Sequence, residues 1–128
     1  RQIKPGLAVI LIGSDPASEV YVRTKEQRAR EVGFHFEKHV FPNTVDEATI
    51  TTTIHELNTR PDIHGIIIQL PIPEKLYQKN IYHLVDPKKD VDGFHPASLF
   101  EAPIALGVWH LLETTHTDLS HLKYVVAA

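Results

Sequence analysis

Tyr21 and Lys25 are four residues apart in the segment 13–28, whose sequence is "GSDPASEVYVRTKEQR". Side chains at positions i and i+4 lie on one face of a helix, one turn apart. The lysine lies at the edge of a helical stripe formed by Ala17, Tyr21, Thr24, Arg28 and Val32. Two interpretations stay open: the lysine packs its stem on the ring and keeps its ammonium in water, or it is desolvated at the sheet edge and transfers protons.

Gln69 is the one polar residue near the end of the aliphatic run "GIIIQL". A buried amide without hydrogen-bond partners costs roughly 1–3 kcal/mol, so this side chain needs partners. If strands 7–12 and 64–70 are neighbours, its carbonyl oxygen can accept a hydrogen bond from Lys25 and hold the ammonium in place. The alternative is that Gln69 satisfies nearby loop amides.

Asp90 and Asp92 are two apart in "KDVDGF" and are followed by Gly93. Two carboxylates alone supply too few ligands for calcium or magnesium, and the stretch is also typical of a turn. A fixed carboxylate suits a ligand that presents adjacent N–H donors, such as an aminopyrimidinone edge. The sequence therefore predicts either a turn or a recognition group here.

The nine histidines do not form a metal motif. His110, His116 and His121 are six and five apart, which is not the i, i+4 spacing of two ligands on one helical face. His35 and His39 have that spacing, but they lie in a predicted strand. The chain has no cysteine and hence no disulfide or thiolate zinc site. We expect no metal.

Apolar runs and turn residues predict alternating strands and helices. The predicted strands are 7–12, 35–41, 64–70 and a last one that begins near 123. The predicted helices are 16–32, 44–58, roughly 77–85 and 106–113.

Capping signals place the first two helices. Asp15 and Pro16 suit the N-cap and first position of the first helix, and Gly33 ends it. The sequence "TVDE" from Thr44 to Glu47 has the form of a capping box. In the helix that follows it, the residues predicted to face inward are Ala48, Ile54 and Leu57.

Strands that alternate with helices predict an α/β fold, a three-layer sandwich with an open, mostly parallel sheet flanked by helices. Ligands in such folds bind at the carboxyl ends of the strands. Polar clusters fall at or near those ends: "GSDPAS", "QLPIP" and "DVDGF". The candidate residues should therefore meet at one edge of the sheet.

Composition excludes several classes of protein. The net charge of −3 leaves no basic footprint for nucleic acid or an anionic membrane. The longest apolar runs are too short to span a bilayer. No Gly-x-Gly-x-x-Gly or phosphate-binding P-loop motif is present. We expect a cytoplasmic protein whose partner is a small molecule.

Four separated motifs together resemble the bifunctional methylenetetrahydrofolate dehydrogenase/methenyltetrahydrofolate cyclohydrolases. They are "PGLAVILIGSDPASEVYVRTK" (5–25), "EVGF" (31–34), "HGIIIQLPIP" (64–73) and "DPKKDVDGFHP" (86–96), in the family's order. The family contains a longer segment after the last motif, with a Pro-Cys-Thr-Pro-x-Gly type sequence. Here Pro103–Leu106 stands in that place.

The resemblance implies a role for each candidate residue. Lys25 resembles the catalytic lysine, Gln69 its orienting partner, Tyr21 the ring that stacks on the aminobenzoyl group of the folate, and Asp92 the carboxylate that binds the pterin edge. The implied substrate-binding set is Tyr21, Val22, Arg23, Thr24, Lys25, Ile68, Gln69, Leu70 and Asp92.

The resemblance also implies a domain plan. Residues 1–122 would be the folate-binding catalytic domain, incomplete at its N-terminus, and 123–128 would start a Rossmann-like NADP-binding domain otherwise absent from this chain. No cofactor-binding residue is then expected in this chain, although the implied cofactor is NADP. The complete protein is expected to be a homodimer.

The implied activity is oxidation of methylenetetrahydrofolate and hydrolysis of the methenyl product in one-carbon metabolism. One alternative is a folate-binding module without catalysis, because the NADP domain is missing. Another is a phospho-receiver-like signalling domain, which needs an acidic pair after the first strand, where this chain has only Asp15.

Overall fold

The sheet of the computed structural model, which describes residues 3–115, has three parallel strands. They are β1 (Gly6–Ile12), β2 (His35–Phe41) and β3 (Gly65–Gln69), in the order β2-β1-β3. Both crossovers contain a helix, as parallel neighbours require. The predicted α/β class and the three strands within this range are confirmed. The strand predicted from 123 onward, with His116 and His121, lies outside the described residues.

β1 is central because both of its faces are apolar. Ala8, Val9 and Ile10 have no exposed surface, and Leu11 and Ile12 are also buried. A strand covered on both sides needs this continuous run rather than an alternating pattern. Even-numbered positions of β1 face one hydrophobic core and odd-numbered positions face a second one.

Helix α1 (Pro16–Glu31) covers one face of the sheet. Its predicted start is confirmed, and it ends one residue before the predicted Val32, which is the C-cap. The Asp15 carboxylate caps it by accepting from the backbone N–H of Ser18 at 2.7 Å. Beyond the C-cap, Gly33 has φ +83°, a conformation that favours glycine. Val22 packs with Val9, Leu11 and Ile67 in the core of this face.

The stripe that the sequence suggests on α1 is not the face that packs. The buried residues are Ser18, Val22 and Ala29, whereas Tyr21 and Val32 are exposed. Lys25 is half-buried because it is three residues after Val22 and four before Ala29, on the sheet-facing side. Packing of small and branched residues against β1 and β3 thus selects a different face.

Helix α2 (Glu47–Thr59) covers the other face and begins later than predicted. The capping residue is Asp46, whose carboxylate accepts from the N–H of Thr49 at 2.8 Å, and the prediction of Thr44 as the cap was wrong. The shifted start puts Ile50 in the core and leaves Ala48 exposed, contrary to the prediction. Ile54 and Leu57 are buried as predicted. With α1 opposite, the three layers are confirmed.

The segment predicted as one helix at 77–85 is two short pieces. Helix α3 (Glu74–Tyr77) ends before Asn80, and a 3₁₀ helix (Ile81–Leu84) follows it. Asn80 has φ 50°, a left-handed conformation that interrupts a right-handed helix. Helix α4 (Pro103–Glu113) begins three residues before the predicted 106. None of the helices in the described range is long and apolar enough to cross a membrane.

Candidate active site

A cavity of about 600 Å³ opens at the carboxyl end of β3, where the fold predicts a ligand site. It is lined by Tyr21, Lys25, Ile68, Gln69, Leu70, Asp92, Phe94, Ala102, Pro103 and Ile104. Six of the nine predicted substrate-binding residues are among them. A smaller cavity of about 290 Å³, beside Gly33 and Phe34, contains none of the predicted residues.

Lys25 and Gln69 meet across the edge of the sheet. The Lys25 Nζ donates to Gln69 Oε1 at 2.9 Å, and Gln69 Nε2 donates to the Leu70 carbonyl at 2.9 Å. The pairing of Leu11 with Gln69 makes β1 and β3 neighbours, which was the condition for this contact. Both ends of the amide are therefore bonded, and the ammonium is held rather than free in water.

The two aspartates of "KDVDGF" have separate functions in the structure. Asp90 is buried, and its carboxylate accepts from the N–H of Gly93 at 3.1 Å and of His95 at 2.7 Å. It therefore builds the turn. Asp92 lines the cavity instead, so the turn and recognition interpretations apply to different residues.

The electrostatics of Asp92 follow from its position. Burial raises the pKa of its carboxyl, the nearby Lys25 ammonium lowers it, and Asp90 raises it further. A carboxylate that has lost much of its water binds N–H donors of a ligand more strongly. Among the described residues 3–115, Asp92 is the one carboxylate that lines the cavity.

Gly93 is required at this turn. Its φ is +72°, and a Cβ there would lie 2.8 Å from the Ala102 nitrogen and 2.9 Å from the Phe100 carbonyl oxygen. The close approach brings the chain before α4 against the turn. Ala102 and Asp92 both line the cavity.

Tyr21 is at the mouth of the cavity and is 64% exposed. An exposed ring at the mouth of an apolar cavity can stack on a flat ligand. Tyr21 is one helical turn before Lys25 on α1, and both side chains line the cavity.

Three predicted substrate-binding residues do not line this cavity. Val22 is buried, and with Arg23 it lines a different groove, beside Lys38 and Val40 of β2. Thr24 is exposed and donates to the Val20 carbonyl at 3.0 Å. Successive helical residues are about 100° apart, so a contiguous stretch cannot face one cavity.

The apolar wall of the cavity was not predicted. Phe94 follows Gly93 in "DVDGF", so its neighbourhood was visible in the sequence. Ala102, Pro103 and Ile104 come from the start of α4. In the sequence, Pro103 and Ile104 stand out only because they occupy the place of a different family motif, which does not assign them to this cavity. Their place depends on the tertiary fold alone.

No divalent metal set faces the cavity in the range 3–115. Ligand atoms of His35, Glu37 and Asp62 lie within 4.8 Å of one another at the edge strand β2. However, the Arg60 guanidinium binds both of those carboxylates. A cation already balances them, so we assign this cluster to ion pairing.

The N-termini of α1 and α2 are already capped by carboxylates and do not suit a phosphate. Phosphates bind at a free helix N-terminus, where backbone N–H groups are available. Here the carboxylates of Asp15 and Asp46 already accept those N–H groups at α1 and α2. They would also repel a phosphate. The cavity is consistent with a flat, partly apolar ligand that has N–H donors.

Comparison with known proteins finds similar sequences over most of this chain. A profile of the family described as tetrahydrofolate dehydrogenase/cyclohydrolase, catalytic domain, matches residues 1–92. Bifunctional protein FolD 1 of Hydrogenovibrio crunogenus is 50% identical over 131 residues, which cover 95% of this chain and 46% of that protein.

Two solved structures share the fold. FolD-methylenetetrahydrofolate dehydrogenase/cyclohydrolase from Campylobacter jejuni aligns with a TM-score of 0.83 and 33% identity, over 91% of this chain and 45% of that one. The Trypanosoma brucei N5,N10-methylenetetrahydrofolate dehydrogenase-cyclohydrolase, solved with NADP and an inhibitor, aligns with a TM-score of 0.85 and 25% identity, over 91% and 43%. The chain thus spans less than half the length of these relatives.

Proposed function

The chain belongs to the tetrahydrofolate dehydrogenase/cyclohydrolase family, and from this premise we propose the activity of the whole protein. It oxidises methylenetetrahydrofolate to methenyltetrahydrofolate with NADP and hydrolyses the product to formyltetrahydrofolate. The observation that carries the proposal is the 2.9 Å bond from Lys25 to Gln69 in a cavity that also contains Asp92.

In the hydrolytic step, water attacks the methenyl carbon, and Lys25 in its neutral form assists removal of a proton from that water. One of the two bonds from that carbon to nitrogen then breaks, the nitrogen takes the hydroxyl proton, and a formyl group remains on the other nitrogen. Gln69 orients the amine through its carbonyl oxygen and carries no charge itself. The reaction consumes one water and releases one proton. The half-buried position of Lys25 supports this role because it limits the orientations of the side chain.

Substrate binding uses the two sides of the cavity. Tyr21 at the mouth stacks on the aminobenzoyl ring, and Asp92 accepts hydrogen bonds from the N–H donors of the pterin. Ile68 and Leu70 supply apolar contacts from the end of β3. Val22, Arg23 and Thr24 act on the ligand only by shaping the helix between Tyr21 and Lys25.

NADP would accept the hydride that leaves the substrate in the oxidative step. Its binding residues belong to a second domain that we place from about 123 onward, after a folate-binding domain at 1–122. The NADP complex of the Trypanosoma brucei relative supports this cofactor. For the complete protein we further propose a homodimer that works in the cytoplasm.

The test is the hydrolysis of methenyltetrahydrofolate by the full-length protein. Lys25→Ala should abolish turnover and keep folate affinity within about tenfold, equivalent to roughly 1.4 kcal/mol. Lys88→Ala, at an exposed lysine away from the cavity, is the matched control and should behave as wild type.

More than a tenth of wild-type turnover in Lys25→Ala would remove this lysine from the mechanism. Folate binding by a wild-type protein that does not turn over would favour a binding module without catalysis. Absence of folate binding would contradict the proposal as a whole.

A further inference from the structure

Ser18 is buried on α1 close to the cavity, although it does not line it. Its side chain is 2% exposed, and its hydroxyl lies 3.1 Å from the Leu70 carbonyl oxygen. Ser18 and Asp90 are the buried polar residues in the range 3–115. Asp90 builds a turn, so the burial of Ser18 calls for a separate explanation.

The Leu70 carbonyl is a shared acceptor. It accepts from the Ser18 hydroxyl and also from Gln69 Nε2 at 2.9 Å. A carbonyl oxygen only accepts, so the amide must turn its NH₂ end toward Leu70. The Gln69 side-chain oxygen then remains to accept from Lys25, whose ammonium can only donate. The Leu70 carbonyl therefore decides which end of the amide the lysine meets.

The contacts close into a ring that begins and ends on one helix. Lys25 bonds Gln69, Gln69 bonds the Leu70 carbonyl, and Ser18 bonds the same carbonyl. Ser18 and Lys25 are seven residues apart, two helical turns on the same face. The end of β3 is therefore joined to α1 at two points, Ser18 and Lys25.

We infer that Ser18 is a positioning residue for Lys25, acting through the Leu70 carbonyl and the Gln69 amide. Without the hydroxyl, that carbonyl loses its bond to α1, and the amide that orients the amine loses its fixed support. The kinetic part of this inference rests on the proposed function, whereas the structural part does not.

Asp15 provides a sharp control. Its carboxylate oxygen lies 2.9 Å from the Ser18 hydroxyl, so it competes with Leu70 for the single hydroxyl proton. Asp15→Asn keeps a good cap for α1 and weakens that competition. If Ser18 serves only the cap, Ser18→Ala and Asp15→Asn should have similar effects. If Ser18 positions Gln69, only Ser18→Ala should disturb the amide.

The experiment uses the full-length protein labelled with ¹⁵N at glutamine side chains and compares both variants with wild type. We expect Ser18→Ala to shift the Gln69 side-chain N–H resonances and speed their exchange, with Asp15→Asn close to wild type. Hydrolysis of methenyltetrahydrofolate should lose about three- to tenfold in kcat in Ser18→Ala, with KM within twofold.

Unchanged Gln69 resonances in Ser18→Ala, or equal changes in both variants, would overturn the inference. A wild-type protein without turnover would contradict the proposed function alone, because the resonances still decide the role of Ser18. Shifted resonances with unchanged kcat would overturn the kinetic part.

Discussion

Lys25 and Gln69 are 44 residues apart in sequence and are joined by a half-buried hydrogen bond. A neutral amide adds no charge near the ammonium, so its contribution is to hold a position. Orientation of a reacting group can change a reaction rate by orders of magnitude. At the scale of the residue, the site therefore depends on geometry more than on field strength.

Gln69→Ala should lower turnover about ten- to a hundredfold, because the amine loses its orienting partner. Gln69 and Lys25 act through one bond, so the double variant should be little worse than Lys25→Ala alone. Steady-state kinetics on the four proteins of this cycle measure the coupling.

Gln78→Ala is the matched control, since that glutamine bonds only the neighbouring Glu74 on an exposed surface. Additive rate losses together with a lowered Tm in Gln69→Ala would mean that Gln69 is a structural residue.

Asp92→Asn should weaken folate binding by roughly 1.5–3 kcal/mol, the contribution of a hydrogen bond to a charged group. The same substitution should increase the free energy of unfolding, in contrast to its unfavourable effect on binding. Because burial raises the pKa of Asp92 above 3.8, wild type loses stability as pH rises from 3.8 through the raised value. Asp92→Asn has no carboxyl at this position, so its stability should not fall in this pH range for that reason. Titration calorimetry and denaturant unfolding across this pH range measure the two effects.

Asp90→Asn is the contrast, because that side chain holds the turn through two backbone N–H groups. It should destabilise the fold. An unchanged dissociation constant in Asp92→Asn would leave Asp92 without a role in recognition.

The elements differ in how far local sequence determines them. β1, β2, β3 and α1 were predicted almost to the residue, because aliphatic runs, Asp15 and Gly33 are local signals. The segment 77–85 was not, since the left-handed Asn80 breaks a pattern that looks helical. At α2, the sequence indicated Thr44 as the cap, whereas the structure caps the helix with Asp46 and buries Val45 between the two residues.

The cap of α2 can be tested directly. Asp46→Ala should lower Tm by roughly 2–8 °C, because the N–H of Thr49 loses its acceptor. Thr44→Ala should leave Tm almost unchanged. Thermal unfolding followed by circular dichroism distinguishes the two, and a larger loss in Thr44→Ala would restore the capping box as the start of the helix.

At the scale of the molecule, the site combines parts that the sequence indicates with parts that only the fold brings in. Gln69 could be found because a polar residue at the end of an apolar run is conspicuous, Lys25 because of its helical spacing from Tyr21, and Asp92 because of the aspartate pair before a glycine. Phe94 and Ile104 could not, since an apolar residue carries no mark of the surface it will face. Nor did the sequence show that Val22 turns inward while Tyr21 stays exposed.

Acid stability is a property of the whole fold that depends on Glu37. The Arg60 guanidinium, followed by His35, lowers the pKa of Glu37 from 4.5 to about 2. Its ion pair therefore stabilises the fold above pH 4.5, and this contribution is lost as pH falls from 4.5 to about 2. Glu37→Gln should cost about 1–2 kcal/mol at pH 7.

The difference between Glu37→Gln and wild type should shrink over that pH window. Denaturant unfolding at pH 7, 4.5 and 3 measures it. A constant difference at all three values would show that the link between β2 and Arg60 does not depend on charge.

The double burial of β1 has a consequence for how the molecule opens. One core takes Ala8, Ile10 and Ile12 from this strand, and the other takes Val9 and Leu11. If the helix on one face of the sheet detaches, β1 becomes exposed, and the core on the other face loses part of its packing. We therefore expect the helical layers on the two faces to unfold together. We also expect β1 to open only with the whole fold, so that its amides exchange with solvent through global unfolding. Local opening is left to the segments that surround the cavity, where a ligand has to enter.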